Sequence, residues 1–465
     1  MNPVPGFFCL RSSSISDPIR VPRPEHTISR SRLSRAALQT LYGLKDAGYQ
    51  ALLVGGGVRD LLVGLNPKDF DIATDARPEE VQETFRRCRL IGRRFRLAHV
   101  RFGGEIIEVA TFRAAPRSPD EGDADDAEVD PAALADDDES DADEAAHMLD
   151  DSGRILRDNV YGSMEQDAFR RDFTINALYY DIRDFAVVDY VGGMQDLSER
   201  RVRLIGDPVT RYREDPVRML RAVRFASKLD FTIDESAAEP IPALTGLLAD
   251  VPPARLFDEV LKLFLSEKAE SNFDGLMHFG LFDVLFPEVA RAMHEDQSGR
   301  VEALIRLALR STAQRISDDK PVTPAFVFAA MLWAPAQAAA AALREQGVPP
   351  SPALAQGASE VIGQQCRTVA IPRRFSGMQG DIWHLQVRFE FRRGKRPFRL
   401  LENKRFRAAY DFLALRAQAG EVDQELVDWW TQFQDVSHEE RKQMSEAAPG
   451  GPGGSGRRRR RRKRR

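Results

Sequence analysis

Two carboxylates and a run of glycines in the first part of the chain have the types and spacing needed for phosphate chemistry. Residues 55–57 are all Gly and end an apolar run, and Asp69 and Asp71 follow shortly afterwards. Glycines at a strand end let the backbone approach a phosphate chain, and the next helix N-terminus favours anions. Aspartates at i and i+2 of an extended segment share one face, where they can hold magnesium ions. The combination predicts nucleotidyl transfer, although either feature alone is more often a simple turn.

The pattern of apolar residues predicts a small mixed α/β unit that positions this motif. Leu38, Leu41 and Leu44 recur at helical spacing, and residues 99–102 and 105–112 alternate like a hairpin around Gly103-Gly104. From about residue 208 the pattern is almost wholly helical, so we predict an α+β fold. The predicted elements are a helix over 34–47, strands over 50–54 and 70–73, helices over 58–65 and 78–88, the hairpin, strands over 173–180 and 186–190, and helices over 215–228, 253–266, 301–311, 324–333 and 398–417.

The composition is that of a globular protein with two low-complexity segments of opposite charge. The 465 residues carry a net charge of −4 and are 43% hydrophobic, enough for two to four domains. Residues 120–151 hold 16 acidic residues and no Lys or Arg, whereas residues 457–465 are all basic. Three distant cysteines argue against a disulfide framework or zinc site and fit a reducing cytoplasm. No run approaches the roughly 18 apolar residues of a membrane span, so we expect none.

Three further motifs follow in order along the chain. They are Ile91-Gly92-Arg93-Arg94-Phe95-Arg96-Leu97-Ala98-His99-Val100, Arg170-Arg171-Asp172-Phe173-Thr174-Ile175-Asn176, and Arg213-Glu214-Asp215-Pro216-Val217-Arg218-Met219-Leu220-Arg221. With the glycine–aspartate motif, they make the chain resemble the class II nucleotidyltransferases of the polymerase-beta superfamily. These are the tRNA CCA-adding enzymes and the bacterial poly(A) polymerases. The resemblance covers residues 40–440 and implies a polymerase-beta-like α/β nucleotidyltransferase head on a long all-α neck and body.

The resemblance also implies a two-metal site in which Asp69 and Asp71 hold Mg²⁺. The ions would lower the pKa of an RNA 3′-hydroxyl and neutralise charge on the leaving pyrophosphate. A third carboxylate is expected on a neighbouring strand, and Glu108 is the best match for it. Glu105 is the competitor, but it lies beside the predicted Gly103-Gly104 turn.

The triphosphate of ATP, the expected substrate, is assigned to the glycine motif and nearby cations. Gly55 and Gly56 would let the backbone approach the phosphates. Arg59 would face the triphosphate from the following helix, and Lys68 could assist. The alternative for Arg59 is an ordinary surface arginine.

The second motif matches the family's sugar-recognition sequence. Arg171, Asp172 and Asn176 are expected to reach a ribose hydroxyl and a phosphate, and so to select ribonucleotides. We place Asp172 with the catalytic residues, while a structural salt bridge that orders the site is the alternative role for it.

The third motif matches the nucleotide-selecting sequence. Asp215 and Arg218 are three residues apart and are therefore expected on one helix face. The carboxylate would accept a hydrogen bond from the adenine N6 amino group, and the guanidinium would donate to N1. Because cytosine offers the same pattern at N4 and N3, this pair does not separate adenylation from CCA addition.

Two features favour adenosine addition. Residues 91–100 resemble the signature of bacterial poly(A) polymerases, although a core strand with solvated arginines is an equal alternative. The C-terminal region interleaves basic and aromatic residues in a way that suits single-stranded RNA, through phosphate contacts and base stacking. Its segments are 372–375, 381–383, 392–396 and 406–411.

The domains follow from these assignments. We predict a disordered lead-in over 1–35, a catalytic head over 36–190 with a disordered acidic insert at 116–152, a neck for nucleotide selection and RNA binding over 191–270, a helical body with an RNA-binding C-terminal region over 271–440, and a disordered Arg-rich tail over 441–465.

The sequence therefore predicts an enzyme that adds AMP from ATP to RNA 3′ ends without a template and releases pyrophosphate. We expect a cytoplasmic monomer that promotes RNA decay, with RNA-decay proteins as partners. A tRNA CCA- or A-adding enzyme is the first alternative. A non-catalytic RNA-binding protein is the second, and the intact carboxylate set argues against it.

Overall fold

The computed structural model describes residues 17–92, 96–114, 147–149, 155–158 and 160–449. The chain divides into two compact units. The first comprises residues up to Asp215 together with Phe231–Pro240, and the second comprises Pro216–Asp230 and the chain from Ile241 onward. The first unit is mixed α/β and the second is helical, which confirms the predicted fold class.

All strands among the described residues lie in the first unit. They are β1 (Ile19–Val21), β2 (Ala51–Val54), β3 (Asp71–Thr74), β4 (Cys88–Ile91), β5 (Leu97–Phe102), β6 (Glu105–Thr111), β7 (His147–Leu149), β8 (Ile155–Asp158), β9 (Leu178–Asp181), β10 (Val187–Asp189), β11 (Arg201–Val202) and β12 (Thr232–Ile233).

Eight of these strands form one mixed sheet. Its order is β1-β10-β9-β2-β3-β6-β5-β4, and every neighbouring pair is antiparallel except the parallel pair β3–β6. The central strand β2 is buried along its whole length. Strands β5 and β6 instead bury alternate residues, so one of their faces is open. The predicted hairpin around Gly103-Gly104 is confirmed, with Phe102 opposite Glu105.

The helices of the first unit are α1 (Arg35–Asp46), α2 (Gly56–Leu62), α3 (Pro78–Thr84), α4 (Met164–Arg170), α5 (Gly193–Ser198), α6 (Pro208–Glu214) and, after an intervening helix of the second unit, α8 (Glu235–Ala238). The helices of the second unit are α7 (Val217–Leu229), α9 (Ile241–Leu244), α10 (Pro253–Phe264), α11 (Ala269–His278), α12 (Leu281–Leu285), α13 (Pro287–Glu295), α14 (Arg300–Ser317), α15 (Pro324–Met331), α16 (Trp333–Glu345), α17 (Pro350–Gln365), α18 (Arg373–Phe389), α19 (Arg396–Leu401), α20 (Phe406–Gln418), α21 (Gln424–Asp435) and α22 (His438–Ala447).

Helix α1 shows how the sequence pattern becomes structure. Ser34 caps the helix, because its side chain accepts a hydrogen bond from the Ala37 backbone N–H. Leu41 and Leu44 are fully buried on the face that packs toward the sheet. The helix predicted over 34–47 is thus confirmed within one residue at each end.

Ordered elements lie at the ends of the segments predicted as disordered, in the part of the chain that the structure describes. The lead-in is ordered from residue 17, because β1 pairs with β10 at the sheet edge. At the end of the predicted insert, β7 pairs with β8, which lies just beyond the insert. Helix α22 extends into the predicted tail. Residues 1–16, 115–146 and 450–465 lie outside the described residues, as do Arg93, Arg94 and Phe95 of the first motif.

Aromatic side chains build much of the core of the second unit. Trp430 lies against Phe389 and Phe406, and Trp383 is 1% exposed and donates through Nε1 to the Ala329 carbonyl at 3.0 Å. This corrects the base-stacking expectation for Trp383 and Phe406, since a buried ring presents no face to RNA. Arg373, Arg374, Arg393, Lys395 and Arg396 are exposed, and the phosphate contacts expected of this region stay a prediction.

No single helix in the described ranges is both long and apolar enough to cross a membrane. Helices α15 and α16 meet the length and composition criteria only as a pair, and the pair is bent by 54°.

Candidate active site

The three predicted metal-binding carboxylates come together on the sheet. Asp71 is the first residue of β3 and lies directly opposite Glu108 of β6. Asp69 is exposed just before the strand. Burial, together with the charges of Glu108 and Asp69, raises the pKa of Asp71 to about 6, and the nearby Arg171 acts against this rise. Glu105 pairs at the hairpin tip instead, so Glu108 rather than its competitor faces Asp71.

The glycine turn lies beside this carboxylate group. Val54, the last residue of β2, is the cross-strand partner of Asp71, and Gly55 follows it. Gly55 has φ 70° and ψ −135°, a conformation that is costly for residues with a Cβ. A Cβ added at Gly55 would lie 3.6 Å from Arg171 Nη1 and 3.8 Å from the Asn176 carbonyl oxygen. These are ordinary van der Waals distances, so the backbone conformation rather than a lack of space favours glycine at this turn.

Arg59 is not a surface arginine. It is 2% exposed, and its Nη1 donates to Asn176 Oδ1 at 2.5 Å while Nε and Nη2 both donate to Asp60 Oδ1. Asn176 in turn donates to Asp172 Oδ1 at 3.2 Å. The glycine helix and the sugar motif are thus tied together by a buried chain of hydrogen bonds.

Asp172 folds back onto its own loop. Its Oδ1 also accepts the Phe173 backbone N–H at 2.8 Å, immediately before a short 3₁₀ helix over Thr174–Asn176. Both contacts fit the ordering role that the sequence left open for Asp172. They position Asn176, and through it Arg59.

Arg171 is fixed by a second buried group. Its Nε and Nη2 donate to Asp167 Oδ2 at 3.0 and 2.8 Å, and Tyr179 OH donates to the same oxygen at 2.7 Å. Although burial acts to raise it, the pKa of Asp167 is lowered by Arg171 and by the Tyr179 hydrogen bond. Burial also raises the pKa of Tyr179 well above its usual value. Arg211 of α6 holds the same loop through the carbonyls of residues 170 and 171.

The remaining predicted residues are Lys68, Asp215 and Arg218. Lys68 is exposed, one residue before Asp69. Asp215 and Arg218 do not share a helix: Asp215 is extended, with φ −149°, at the end of α6, and Arg218 lies on α7. Pro216 explains the break, because the residue before a proline is disfavoured in the helical region. Asp215 belongs to the first unit and Arg218 to the second.

The residues present suit magnesium. Within the described ranges, no group of three or more His, Cys, Asp or Glu side chains is already spaced as a metal cage. The donor set is nevertheless all oxygen, which Mg²⁺ prefers. Burial first, and then the charges of Glu108 and Asp69, raise the pKa of Asp71, and a divalent cation bound there would offset both.

Sequence reasoning missed four residues of this site. They are His99, Asp167, Tyr179 and Arg211. His99 could have been found, because a two-residue turn at Gly103-Gly104 places it opposite Glu108, and its Nε2 lies 3.3 Å from Glu108 Oε1. The i, i+4 spacing of Asp167 and Arg171 was the signal for that ion pair. Nothing local indicates Tyr179 or Arg211.

Three family models match the chain. "Poly A polymerase head domain" covers residues 51–203, "Probable RNA and SrmB- binding site of polymerase A" covers 230–293, and "Polymerase A arginine-rich C-terminus" covers 346–465. The first contains Asp69, Asp71, Glu108 and the sugar motif.

Relatives with assigned names agree with these matches. Poly(A) polymerase I of Salmonella typhi is 49% identical over 427 residues, which is 91% of this chain and 87% of the relative. A CCA-adding enzyme of Lactobacillus helveticus is 34% identical over 51% of each chain. A solved tRNA nucleotidyltransferase with a primer tRNA and an ATP analogue has a TM-score of 0.52 at 18% identity, covers 85% of this chain and 99% of its own, and shows a shared fold.

Proposed function

The chain belongs to the bacterial poly(A) polymerase family of RNA nucleotidyltransferases, and from this premise we propose how its residues add adenosine to RNA 3′ ends. The relatives with this name match along nine-tenths of the chain, whereas the CCA-adding enzymes match along half. The predicted choice of poly(A) over CCA addition is confirmed, and so is the prediction of an enzyme rather than a non-catalytic binding protein.

The observation that carries the mechanism is the register that sets Asp71 opposite Glu108, with Asp69 next to them. These carboxylates are the proposed ligands of two Mg²⁺ ions, which when bound supply the charge that activates the 3′-hydroxyl and stabilises the leaving pyrophosphate. Asp71 lies near both of the other carboxylates. Asp69 comes two residues before it in sequence, and Glu108 lies opposite it on β6.

The proposed triphosphate pocket lies at the glycine turn that follows β2. The turn at Gly55 and Gly56 lets backbone amides approach the phosphates, and Arg171 contributes a positive charge whose position Asp167 and Tyr179 fix. Arg59 is held by Asn176 and Asp60, so its proposed role is to fix the turn and the sugar motif. Lys68, exposed beside Asp69, is free to follow the leaving pyrophosphate.

Selection of the base is proposed for Asp215 and Arg218. The two residues lie on separate elements, Asp215 at the end of α6 and Arg218 on α7, so each contributes its base contact from its own element. In the second unit, Glu259 of α10 supports α7 through Arg224, with Oε2 and Nε 3.7 Å apart. We also propose that the product tails promote RNA decay in the cytoplasm and that the enzyme acts as a monomer.

One assay tests the function. The purified chain is incubated with magnesium, a labelled generic RNA, and ATP or CTP supplied singly. Long ladders with ATP alone are expected. Addition restricted to a tRNA lacking its 3′ end, with use of CTP, would contradict the proposal.

A further inference from the structure

The catalytic strands continue into an open basic face that the mechanism above does not use. We call it the β4–β5 face and define it by Arg89 on β4, His99 and Arg101 on β5, and Ile106 on β6. Arg89 lies opposite His99, His99 lies opposite Glu108, and Arg101 lies opposite Ile106. Cross-strand partners project to the same side of a sheet, so these side chains share the face of the carboxylates.

The burial pattern confirms that this face is exposed while the other is core. Along β5, Ala98 and Val100 are buried, whereas Arg101 is exposed. Along β6, Ile107 and Val109 are buried, whereas Ile106 is 45% exposed and is among the few large apolar side chains of the described chain that are so exposed. The face therefore combines charge with an apolar spot that a nucleobase can cover.

The two arginines of this face have no competing partner. Across the described residues, neither Arg89 nor Arg101 makes a side-chain hydrogen bond or an ion pair. Unpaired guanidinium groups on an exposed surface are suited to phosphates, which they contact with charge-assisted hydrogen bonds.

The order of the sheet separates this face from the nucleotide pocket. Strands β3 and β6 carry the carboxylates; β2, with the glycine turn, flanks them on one side, and β5 and β4 flank them on the other. Arg89 is two strands from Glu108, about 10 Å at the usual strand spacing. A polymerase must bring two substrates to the carboxylates from different directions. One direction is assigned to the triphosphate, which leaves the β4–β5 face for the other substrate.

We propose that the β4–β5 face binds the last nucleotides of the RNA primer, with Arg89 and Arg101 contacting phosphates next to the 3′ end. The sequence tolerance of such contacts suits a growing tail, because phosphates carry no base identity. His99 lies between Arg89 and Glu108, with its Nε2 3.3 Å from Glu108 Oε1, so the face runs without a break from the arginines to the carboxylates. This inference rests on the proposed function, since it names where that reaction holds its acceptor.

The test uses the full chain and a short labelled oligoadenylate, so that the 3′ end supplies most of the binding. Arg89→Ala/Arg101→Ala is expected to raise the Kd for this primer about tenfold or more at low salt. Two lost phosphate contacts should also reduce the slope of log K against log salt by about 1.4. Arg20→Ala is the control for each single change: it removes one positive charge, paired with Asp184, from β1 at the far edge of the same sheet, and should leave primer binding unchanged.

A second measurement needs no variant. A primer with a 4-thiouracil base at its 3′-terminal or penultimate position is cross-linked to the wild-type chain in the absence of ATP, and the adducts are mapped by mass spectrometry. Adducts within 88–106 are expected. Adducts confined to the second unit, or an unchanged Kd in the double variant while the wild type still adenylates, would overturn the inference. Failure of the wild type to adenylate would instead overturn the proposed function.

Discussion

The two sides of the catalytic strands hold their arginines in opposite ways. On the β2 side, Arg59 and Arg171 are locked by Asn176, Asp167 and other buried groups. On the β4–β5 face, Arg89 and Arg101 are exposed. A guanidinium that is already held in place suits a ligand of fixed shape, such as a triphosphate, because binding does not have to immobilise the side chain. An exposed guanidinium suits an RNA primer, which must advance by one nucleotide after every addition.

The largest effect is expected where the two sides meet. Glu108→Gln removes one carboxylate that both substrates share, and loss of such transition-state charge stabilisation should lower kcat about 10³-fold. The measurement is single-nucleotide addition under saturating ATP and RNA. Glu105→Gln, on the same hairpin but at its tip, is the control and should retain activity. Equal losses in both variants would show that the register does not select the metal ligand.

The next largest effect is expected from replacing arginine by lysine, which should impair the β2 side more than the β4–β5 face. Arg171→Lys loses the forked contact with Asp167 and should lower kcat/KM for ATP about 10- to 100-fold. Arg89→Lys keeps the positive charge and a hydrogen-bond donor for phosphate, and because Arg89 has no fixed partner to lose among the described residues, its kcat/KM for primer should stay within about threefold of wild type. Steady-state kinetics in ATP measures the effect of Arg171→Lys, and kinetics in primer measures that of Arg89→Lys. Similar losses at both positions would abolish the contrast.

The smallest effect is a pH-dependent stability difference in metal-free protein. Burial and neighbouring carboxylates raise the pKa of Asp71 from 3.8 to about 6, so the folded state binds this proton more tightly than the unfolded chain does. Stability therefore falls as pH rises between about 4 and 6. In EDTA, Asp71→Asn should raise the Tm at pH 7.5, where Asp71 is charged in the wild type. The rise should be about 2–4 °C for each kcal/mol of relieved repulsion. At pH 4, where Asp71 is protonated in the folded wild type, the Tm should not change. An equal shift at both values would contradict this cause.

Much of the head could be predicted from the sequence because its signals are local. Alternation and the Gly103-Gly104 turn fix the β5–β6 hairpin, and this register already implies the pairing of His99 with Glu108. The contact of Asp71 with Glu108 could not be derived this way, since β3 and β6 are parallel and distant in sequence. Only the family resemblance supplied it.

Other features depended on contacts that sequence spacing does not encode. The lead-in appeared disordered because a three-residue edge strand has too little pattern to detect, yet β10 orders it. The aromatic residues of the C-terminal region appeared suited to RNA because burial cannot be read from composition, and Trp383 is in the core. The spacing of Asp215 and Arg218 was misleading because Pro216 interrupts the helix between them.

If the carboxylates separate two substrate paths, variants on the two sides of the sheet change the KM of different substrates. KM is measured for ATP at saturating primer, and for a short primer at saturating ATP, in Arg171→Lys and in Arg89→Ala/Arg101→Ala. We expect Arg171→Lys to raise the KM for ATP and leave the KM for primer unchanged, and the double variant to raise the KM for primer and leave the KM for ATP unchanged. If both variants raise the KM of the same substrate, the separation of the two paths is contradicted.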